Sequence, residues 1–202
     1  MTGLGRTWVG ADPGGEGNFG VAVLAGEKRV ESSSVDCADE AIDFLRAHLD
    51  LAPRGVGVDA PLWWSSGRSG DRHADQWLRN RYGLSGGEVQ AANSLSGAAL
   101  IQGAMFVQRL RELYPDVPVT ESHPKALLKS VVGNDWAAFS ARFQFVADPS
   151  NEHERDAIVS AIAAREGFEG RWIHDLGDTR LYSEQDPKTH WLAPIHYFWP
   201  ET

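Results

Sequence analysis

The sequence has one cysteine, no long apolar run and no excess of positive charge, and each of these features excludes a class of protein. Cys37 is the only cysteine among 202 residues, which excludes an internal disulfide and a cysteine-based zinc cluster. Any bound metal must therefore be held by oxygen or imidazole ligands. No segment approaches the roughly 20 apolar residues of a membrane-spanning helix, and the first residues lack a signal-peptide pattern. We therefore expect no membrane partner and a cytoplasmic location.

The net charge of −9 argues against broad coating of nucleic acid, because nonspecific binding is driven by Lys and Arg displacing counterions from phosphates. A nucleic-acid-binding face would have to be local. One segment combines basic and aromatic side chains, namely Arg68, Arg72, His73, Arg79 and Arg81 beside Trp63, Trp64 and Trp77. Such a patch suits phosphate contact and base stacking. The alternative is a solvated loop and helix face whose tryptophans belong to the core.

Length and composition indicate one ordinary folded domain. The chain is 42% hydrophobic and 23% charged, and 202 residues are too few for two full cores. We expect a single domain over residues 1–202, with a long loop insertion at about 62–96 and an aromatic C-terminal tail at about 171–202. Loops of that length in compact domains are usually functional, so the insertion is predicted to be a mobile lid or binding loop.

The order of predicted elements indicates an α/β fold with a mixed sheet. Strands are predicted at residues 6–12, 19–25, 29–35, 55–59 and 115–122, and helices at 36–49, 75–82, 97–114, 123–130, 135–143 and 151–166. The first three strands form a meander. The helical crossover to the fourth strand places it parallel to a strand already in the sheet, and helices flank the sheet.

Carboxylates stand where the buried strands end. If the fourth strand pairs with the first, Asp12 and Asp59 lie side by side at the edge where open α/β folds bind ligands. Two carboxylates that close repel unless a proton or a cation lies between them, and Mg²⁺ or Mn²⁺ is the natural partner of oxygen ligands. Glu121, at the end of the fifth strand, and Asp156, on the last long helix, would complete the shell, with Glu152 as a spare ligand one helical turn earlier.

Each of the two strand-end aspartates also has a simpler interpretation. Asp12 precedes Pro13 and Gly14 and suits a turn, and Asp59 precedes Pro61 at a strand end. The metal hypothesis depends on both residues meeting at one edge of the sheet.

Five motifs in order resemble a known family. They are VGADPG, GVDAPL, RHAD, ESHPKALL and HERDAIVSAIAA, which begin at residues 9, 57, 72, 121 and 153. The set resembles domain-of-unknown-function family 429, placed among RNase H-like proteins. The resemblance implies an RNase H-like fold and a metal-dependent nuclease. It places Asp12, Asp59 and Asp156 at the metal-ligand positions, with Glu121 as the fourth. Family members often carry Cys at the position of Ala74.

Three functions are consistent with these residues. The first is phosphodiester hydrolysis with paired Mg²⁺ ions, in which Arg72 or Lys125 contacts phosphate and His123 or His153 relays protons. The second is ATP-dependent phosphoryl transfer, because DPGGEGN at residues 12–18 resembles the phosphate-gripping hairpin of sugar kinases. The third is a noncatalytic module that binds a partner. The expected partner is nucleic acid or a nucleotide.

Overall fold

The protein is organised around a five-stranded mixed sheet, seen in a computed structural model that describes residues 6–26, 28–65, 70–178, 188–189, 192 and 194–201. The strands are β1 (Thr7–Asp12), β2 (Phe19–Ala25), β3 (Arg29–Val35), β4 (Gly55–Val58), β5 (Trp64–Ser65), β6 (Val119–Glu121), β7 (His174–Asp175), β8 (Lys188–Thr189) and β9 (Phe198–Trp199). The helices are α1 (Ala38–His48), α2 (His73–Tyr82), α3 (Gly97–Leu113), α4 (Pro124–Val132), α5 (Trp136–Phe143) and α6 (Glu152–Phe168), with a short 3₁₀ turn at Ala92–Ser94.

The strand order in the main sheet is β3-β2-β1-β4-β6. β2 is antiparallel to β1 and β3, whereas β4 runs parallel to both β1 and β6. The predicted mixed sheet, a three-stranded meander plus parallel strands flanked by helices, is confirmed. The central strands are buried along nearly their whole length, which explains why their sequences are continuous apolar runs rather than alternating ones. No described helix has the length and apolar character needed to cross a membrane.

Helix α6 lies directly on the sheet because glycines leave room for it. The close approaches are made by one glycine on each of three neighbouring strands, namely Gly10, Gly20 and Gly57. A Cβ atom on Gly57 would lie 1.9 Å from the carbonyl oxygen of Ser160, so the helix backbone occupies the volume that a side chain would take. The first turns of α6, which carry His153 and Asp156, are therefore held against the strand ends.

The described part of the aromatic tail packs on the body of the domain. The backbone of His196 donates to the carbonyl of Val119 at 3.0 Å and accepts from the amide of Glu121 at 2.8 Å, so the tail lies along the free edge of β6. Trp199 donates its indole N–H to the hydroxyl of Tyr82 at 2.8 Å, which joins the tail to α2. Tyr182 and Trp191 of the predicted tail lie outside the described residues.

The insertion at 62–96 contains regular structure and many buried side chains. It holds β5, α2 and the 3₁₀ turn, and helix α2 begins two residues before its predicted start. Trp63 is only 1% exposed and belongs to the core, whereas Trp64 and Trp77 are half-buried. Among the predicted basic patch, Arg72 is buried and Arg68 lies outside the described residues. The alternative prediction, that these tryptophans belong to the core, is therefore confirmed for Trp63.

Candidate functional site

All eight residues predicted for the site line one cavity of about 230 Å³ at the carboxyl ends of the parallel strands. The residues are Asp12, Asp59, Arg72, Glu121, His123, Lys125, His153 and Asp156. They come from the last residues of β1 and β6, the segment after β4, the N-terminal ends of α2 and α4, and the first turns of α6. The sheet topology brings them together, because the parallel strands end at the same edge.

Asp12 and Asp59 are neighbours, as predicted. Asp12 is the last residue of β1, and Asp59 directly follows β4. Ala11 pairs with Val58 in the parallel ladder, and the amide of Asp59 donates to the carbonyl of Ala11 at 2.8 Å. The two carboxylates therefore leave adjacent strands at the same level.

Asp156 adds a third carboxylate from α6, and the three influence one another strongly. Burial, followed by the charges of Asp59 and Asp156, raises the pKa of Asp12 to about 9. Burial and the charge of Asp59 likewise raise the pKa of Asp156 to about 6. Near neutral pH Asp12 thus retains a proton unless a cation compensates the negative charge of the cluster.

The donor set suits a hard divalent cation, although it is not arranged around a single point. No group of three or more His, Cys, Asp or Glu side chains within the described residues is disposed to hold a metal ion. Each carboxylate contacts a side-chain nitrogen instead, with His153 Nδ1 2.8 Å from Asp12, His123 Nδ1 3.4 Å from Asp59 and Arg155 Nε 2.9 Å from Asp156. Three oxygen-donor groups gathered at one edge of the sheet fit Mg²⁺ or Mn²⁺ once they turn from these neighbours.

Glu121 and Arg72 lie on the cavity wall, but their charged groups contact each other. Arg72 Nη1 donates to both carboxylate oxygens of Glu121 at 2.8 and 2.9 Å, and Nε and Nη2 donate to Asp75 at 2.9 and 2.8 Å. The guanidinium also lies 4.3 Å from the ring centroid of Trp63. Arg72 is 3% exposed, so it holds the strand end, helix α2 and the loop tryptophan together.

The surroundings of Glu121 determine whether it can bind a cation. One of its oxygens also accepts from the amide of Leu62. Burial raises the pKa of Glu121 to about 7, although Arg72 acts in the opposite direction. Glu121 would become a metal ligand only by releasing part of this network, and its role as fourth ligand stays a prediction.

The histidine and the lysine after β6 differ in their contacts and exposure. His123 Nε2 faces the carbonyl of Glu88 at 2.7 Å, while Nδ1 faces Asp59. Burial lowers the pKa of His123, but the bond and charge of Asp59 outweigh it and the net pKa is raised. Both ring nitrogens meet acceptors, which favours the imidazolium form. Lys125 is 60% exposed, and its Nζ lies 3.4 Å from the spare ligand Glu152.

Three of the cavity residues that were not predicted as part of the site have contacts that explain their place in it. Asp75 caps α2 and binds Arg72, Glu88 contributes its carbonyl to His123, and Tyr197 comes from the C-terminal tail. Asp75 belongs to the RHAD motif, which could have indicated it. Tyr197 carries no local signal in the sequence, because only tertiary packing brings the tail under the strand ends.

The raised pKa values predict that stability falls as pH rises when no divalent cation is present. The folded-state pKa of Asp12, about 9, lies above its ordinary value of 3.8, so its contribution is complete below about pH 4 and is lost as pH rises through 9. Asp156 adds to the fall up to about pH 6. The steepest slope per proton is about 1.4 kcal/mol per pH unit. Urea unfolding in EDTA across this range measures it, and a flat profile contradicts the assignment.

Similarity between this chain and known proteins is found among solved structures. No known protein family matches the chain, so the resemblance to family 429 is not confirmed. No curated protein matches it either. Among solved structures, RuvC of Thermus thermophilus in complex with a Holliday junction substrate matches at 16% identity with a TM-score of 0.45, over 82% of this chain and 95% of that one. A second Thermus thermophilus RuvC structure matches at 15% identity with the same TM-score, over 82% and 96%.

The chain is similar to RuvC in fold. At this identity and TM-score the likeness carries no information about activity, metal or substrate. The chemistry of the cavity has to support any functional conclusion by itself.

Proposed function

We propose that this protein is a divalent-metal-dependent nuclease that hydrolyses phosphodiester bonds at the Asp12, Asp59 and Asp156 cluster. The observation that carries the proposal is the convergence of the buried Asp156 carboxylate with the half-buried carboxylates of Asp12 and Asp59, which raises the pKa of Asp12 to about 9. Such a cluster costs free energy in the folded state unless a cation neutralises it. An unfavourable carboxylate cluster at the edge of the sheet where α/β folds bind ligands supports a metal-dependent activity rather than a structural role.

The proposed roles follow from where each side chain lies. Asp12, Asp59 and Asp156 would hold Mg²⁺ or Mn²⁺, which supplies Lewis acidity and an activated water to phosphodiester hydrolysis. Lys125, exposed at the cavity rim, would contact a substrate phosphate. His153 and His123, each beside one carboxylate, would hold or transfer protons at Nδ1.

Arg72 has a different proposed role from direct phosphate contact. Its guanidinium is occupied by Asp75 and Glu121, so it orients the cavity wall instead. With Arg72 enclosed and a net charge of −9, the protein has little general attraction for phosphates. We therefore expect weak, structure-selective cleavage rather than strong cleavage of any strand.

The proposal is tested by incubating the protein with single-stranded, duplex, hybrid and branched substrates in Mg²⁺, Mn²⁺ or EDTA. Cleavage of at least one substrate, dependent on the divalent cation and lost in Asp59→Asn, is expected. Asp135→Asn is the matched control, because Asp135 is an exposed N-cap of α5 and Asn caps helices equally well. Activity that survives in EDTA or in Asp59→Asn contradicts the proposal.

The same preparations separate the two alternative functions. If ATP with Mg²⁺ raises the melting temperature and no substrate is cleaved, the phosphotransferase hypothesis is favoured, since a ligand of the native state stabilises it. If no substrate is cleaved and neither ATP nor metal alters melting, the noncatalytic binding hypothesis is favoured.

A further inference from the structure

A second cavity, of about 290 Å³, lies beside the carboxylate cavity and has a different character. Its walls include Trp63, Trp64, Leu100, Ile101, Met105 and Gln108. All of its described lining residues are uncharged, and Gln108 is the polar member. We call this cavity the α3 groove, since helix α3 forms one side of it.

The α3 groove exposes apolar surface to water. Ile101 is 62% exposed and Met105 is 38% exposed, and these residues lie one turn apart on the same face of α3. Trp64, in β5, is half-buried and also lines the α3 groove. Single exposed apolar residues are ordinary, but a concave group that includes an aromatic ring is typical of a ligand site.

The α3 groove adjoins the carboxylate cavity. Pro61, two residues after Asp59, lines both cavities. Ala99 of α3 lines the carboxylate cavity, and the next residue, Leu100, lines the groove. A Cβ atom on Gly103 would lie 2.7 Å from the Cβ of Ala60, so α3 is in close contact with the segment that carries Asp59.

We propose that the α3 groove binds an unpaired nucleobase of the strand whose phosphate lies at the carboxylate cluster. This inference rests on the proposed nuclease function and names the substrate class as single-stranded or branched nucleic acid. An uncharged apolar wall disfavours phosphate but accepts the flat face of a base, and the Gln108 amide can bond a base edge. A base stacked and paired within a duplex cannot enter the groove.

Charge supports a base rather than the backbone as the source of affinity. The net charge of −9 repels phosphates overall, so binding has to draw on contacts that do not depend on charge. Stacking of one base on aromatic side chains is worth about 1–3 kcal/mol and tolerates any sequence. Half-buried Trp64 in the α3 groove supplies such a contact next to the proposed reaction centre.

The test measures binding without cleavage. A fluorescein-labelled single strand, the same strand with abasic positions and a blunt duplex are titrated with the protein in EDTA, read by fluorescence anisotropy. The abasic strand keeps the phosphates, so it is a charge-matched probe. The intact strand is expected to bind about 5- to 100-fold more tightly than the abasic strand, from the stacking free energy above.

A variant pair assigns the binding to the groove. Ile101→Glu should weaken binding of the intact strand about tenfold more than binding of the abasic strand, because the added charge repels the phosphates of both strands alike. Leu113→Glu is the matched control on the same helix, because Leu113 is 36% exposed and lies outside the α3 groove. It should bind like wild type. Both positions are exposed, and thermal melting checks that each variant folds.

Three outcomes overturn the proposal. The first is equal affinity for intact and abasic strands, or no binding of either. The second is an equal effect of Ile101→Glu and Leu113→Glu. The third is a change of oligomeric state in Ile101→Glu without a change in strand binding, which would assign the groove to contact between copies of the chain.

The two proposals fail separately. If the protein cleaves in a metal-dependent way but binds intact and abasic strands equally, the nuclease function stands and the proposed role of the α3 groove is wrong. If base-dependent binding requires Ile101 but the protein cleaves nothing in Mg²⁺ or Mn²⁺, the role of the α3 groove stands and the nuclease function is wrong.

Discussion

Asp12→Asn is expected to lower metal-dependent cleavage at least about 100-fold while making the metal-free protein more stable. The substitution keeps the volume of the side chain and removes one carboxylate from the cluster, so cation binding weakens. The Asn amide oxygen can still accept a hydrogen bond from His153 Nδ1, which contacts Asp12 at 2.8 Å. The fold should therefore survive.

The expected gain in stability follows from the raised pKa of Asp12. Near neutral pH the wild-type carboxyl must take up a proton on folding, because its pKa rises from 3.8 to about 9. Asn is neutral in both states and avoids that cost, which we place on the order of 2–4 kcal/mol. Melting in EDTA should rise by about 5 °C or more, and the dependence of stability on pH should become shallower.

The control for Asp12→Asn is Asp135→Asn, which changes the same groups at an exposed helix cap. Cleavage and melting of this control should match wild type. Full activity in Asp12→Asn, or a melting temperature lowered in EDTA, contradicts the carboxylate-cluster assignment.

Gly57→Ala is expected to destabilise the fold and to lower cleavage about 100-fold, although residue 57 does not line the carboxylate cavity. The added Cβ would lie 1.9 Å from the carbonyl oxygen of Ser160, and real Cβ atoms stay beyond 3.0 Å, so α6 must retreat by roughly 1 Å. Overpacking of this kind costs about 1–3 kcal/mol. A displacement near 1 Å also moves Asp156, one turn earlier in α6, and misplacement of that size costs about 100-fold in rate.

Gly97→Ala is the matched control, because a Cβ there meets nothing within 4 Å. It should melt at or slightly above the wild-type temperature, since Ala favours helices over Gly. Gly57→Ala should melt about 5 °C lower and show at least tenfold weaker activation by Mn²⁺. Wild-type melting and activity in Gly57→Ala would mean that α6 is not held by this contact.

The parts of the site that sequence could predict are those set by strand order. Asp12 and Asp59 each follow a buried apolar run, and the helical crossover requires the runs to be parallel, so their meeting was predictable. The apolar spacing of α6 gave the helix, and Asp156 followed from its motif. The strand predicted at 115–122 is shorter in the structure, because Pro115 to Pro118 form the connection that leads into β6.

The parts that sequence could not predict depend on packing between distant segments. The motif spacing does not reveal that Arg72 is enclosed by Asp75 and Glu121, because an arginine in a polar loop ordinarily points to water. The sequence does not predict the α3 groove either, because the spacing of Ile101 and Met105 is typical of core positions in an amphipathic helix. Their exposure emerges only once Phe106 and Leu110 are seen to occupy the buried face.

The position of the C-terminal tail along β6 has a consequence for solubility. A free sheet edge is a template on which a second molecule can add a strand and begin to aggregate. At one edge of the sheet, the backbone of His196 forms hydrogen bonds with the backbone of Val119 and Glu121 in β6. At the other edge, β3 carries serines and charged residues in the sequence RVESSSV, which discourages the same growth. Loss of the tail would leave only one of the two edges protected, and the protein would be expected to associate edge to edge before it lost its fold.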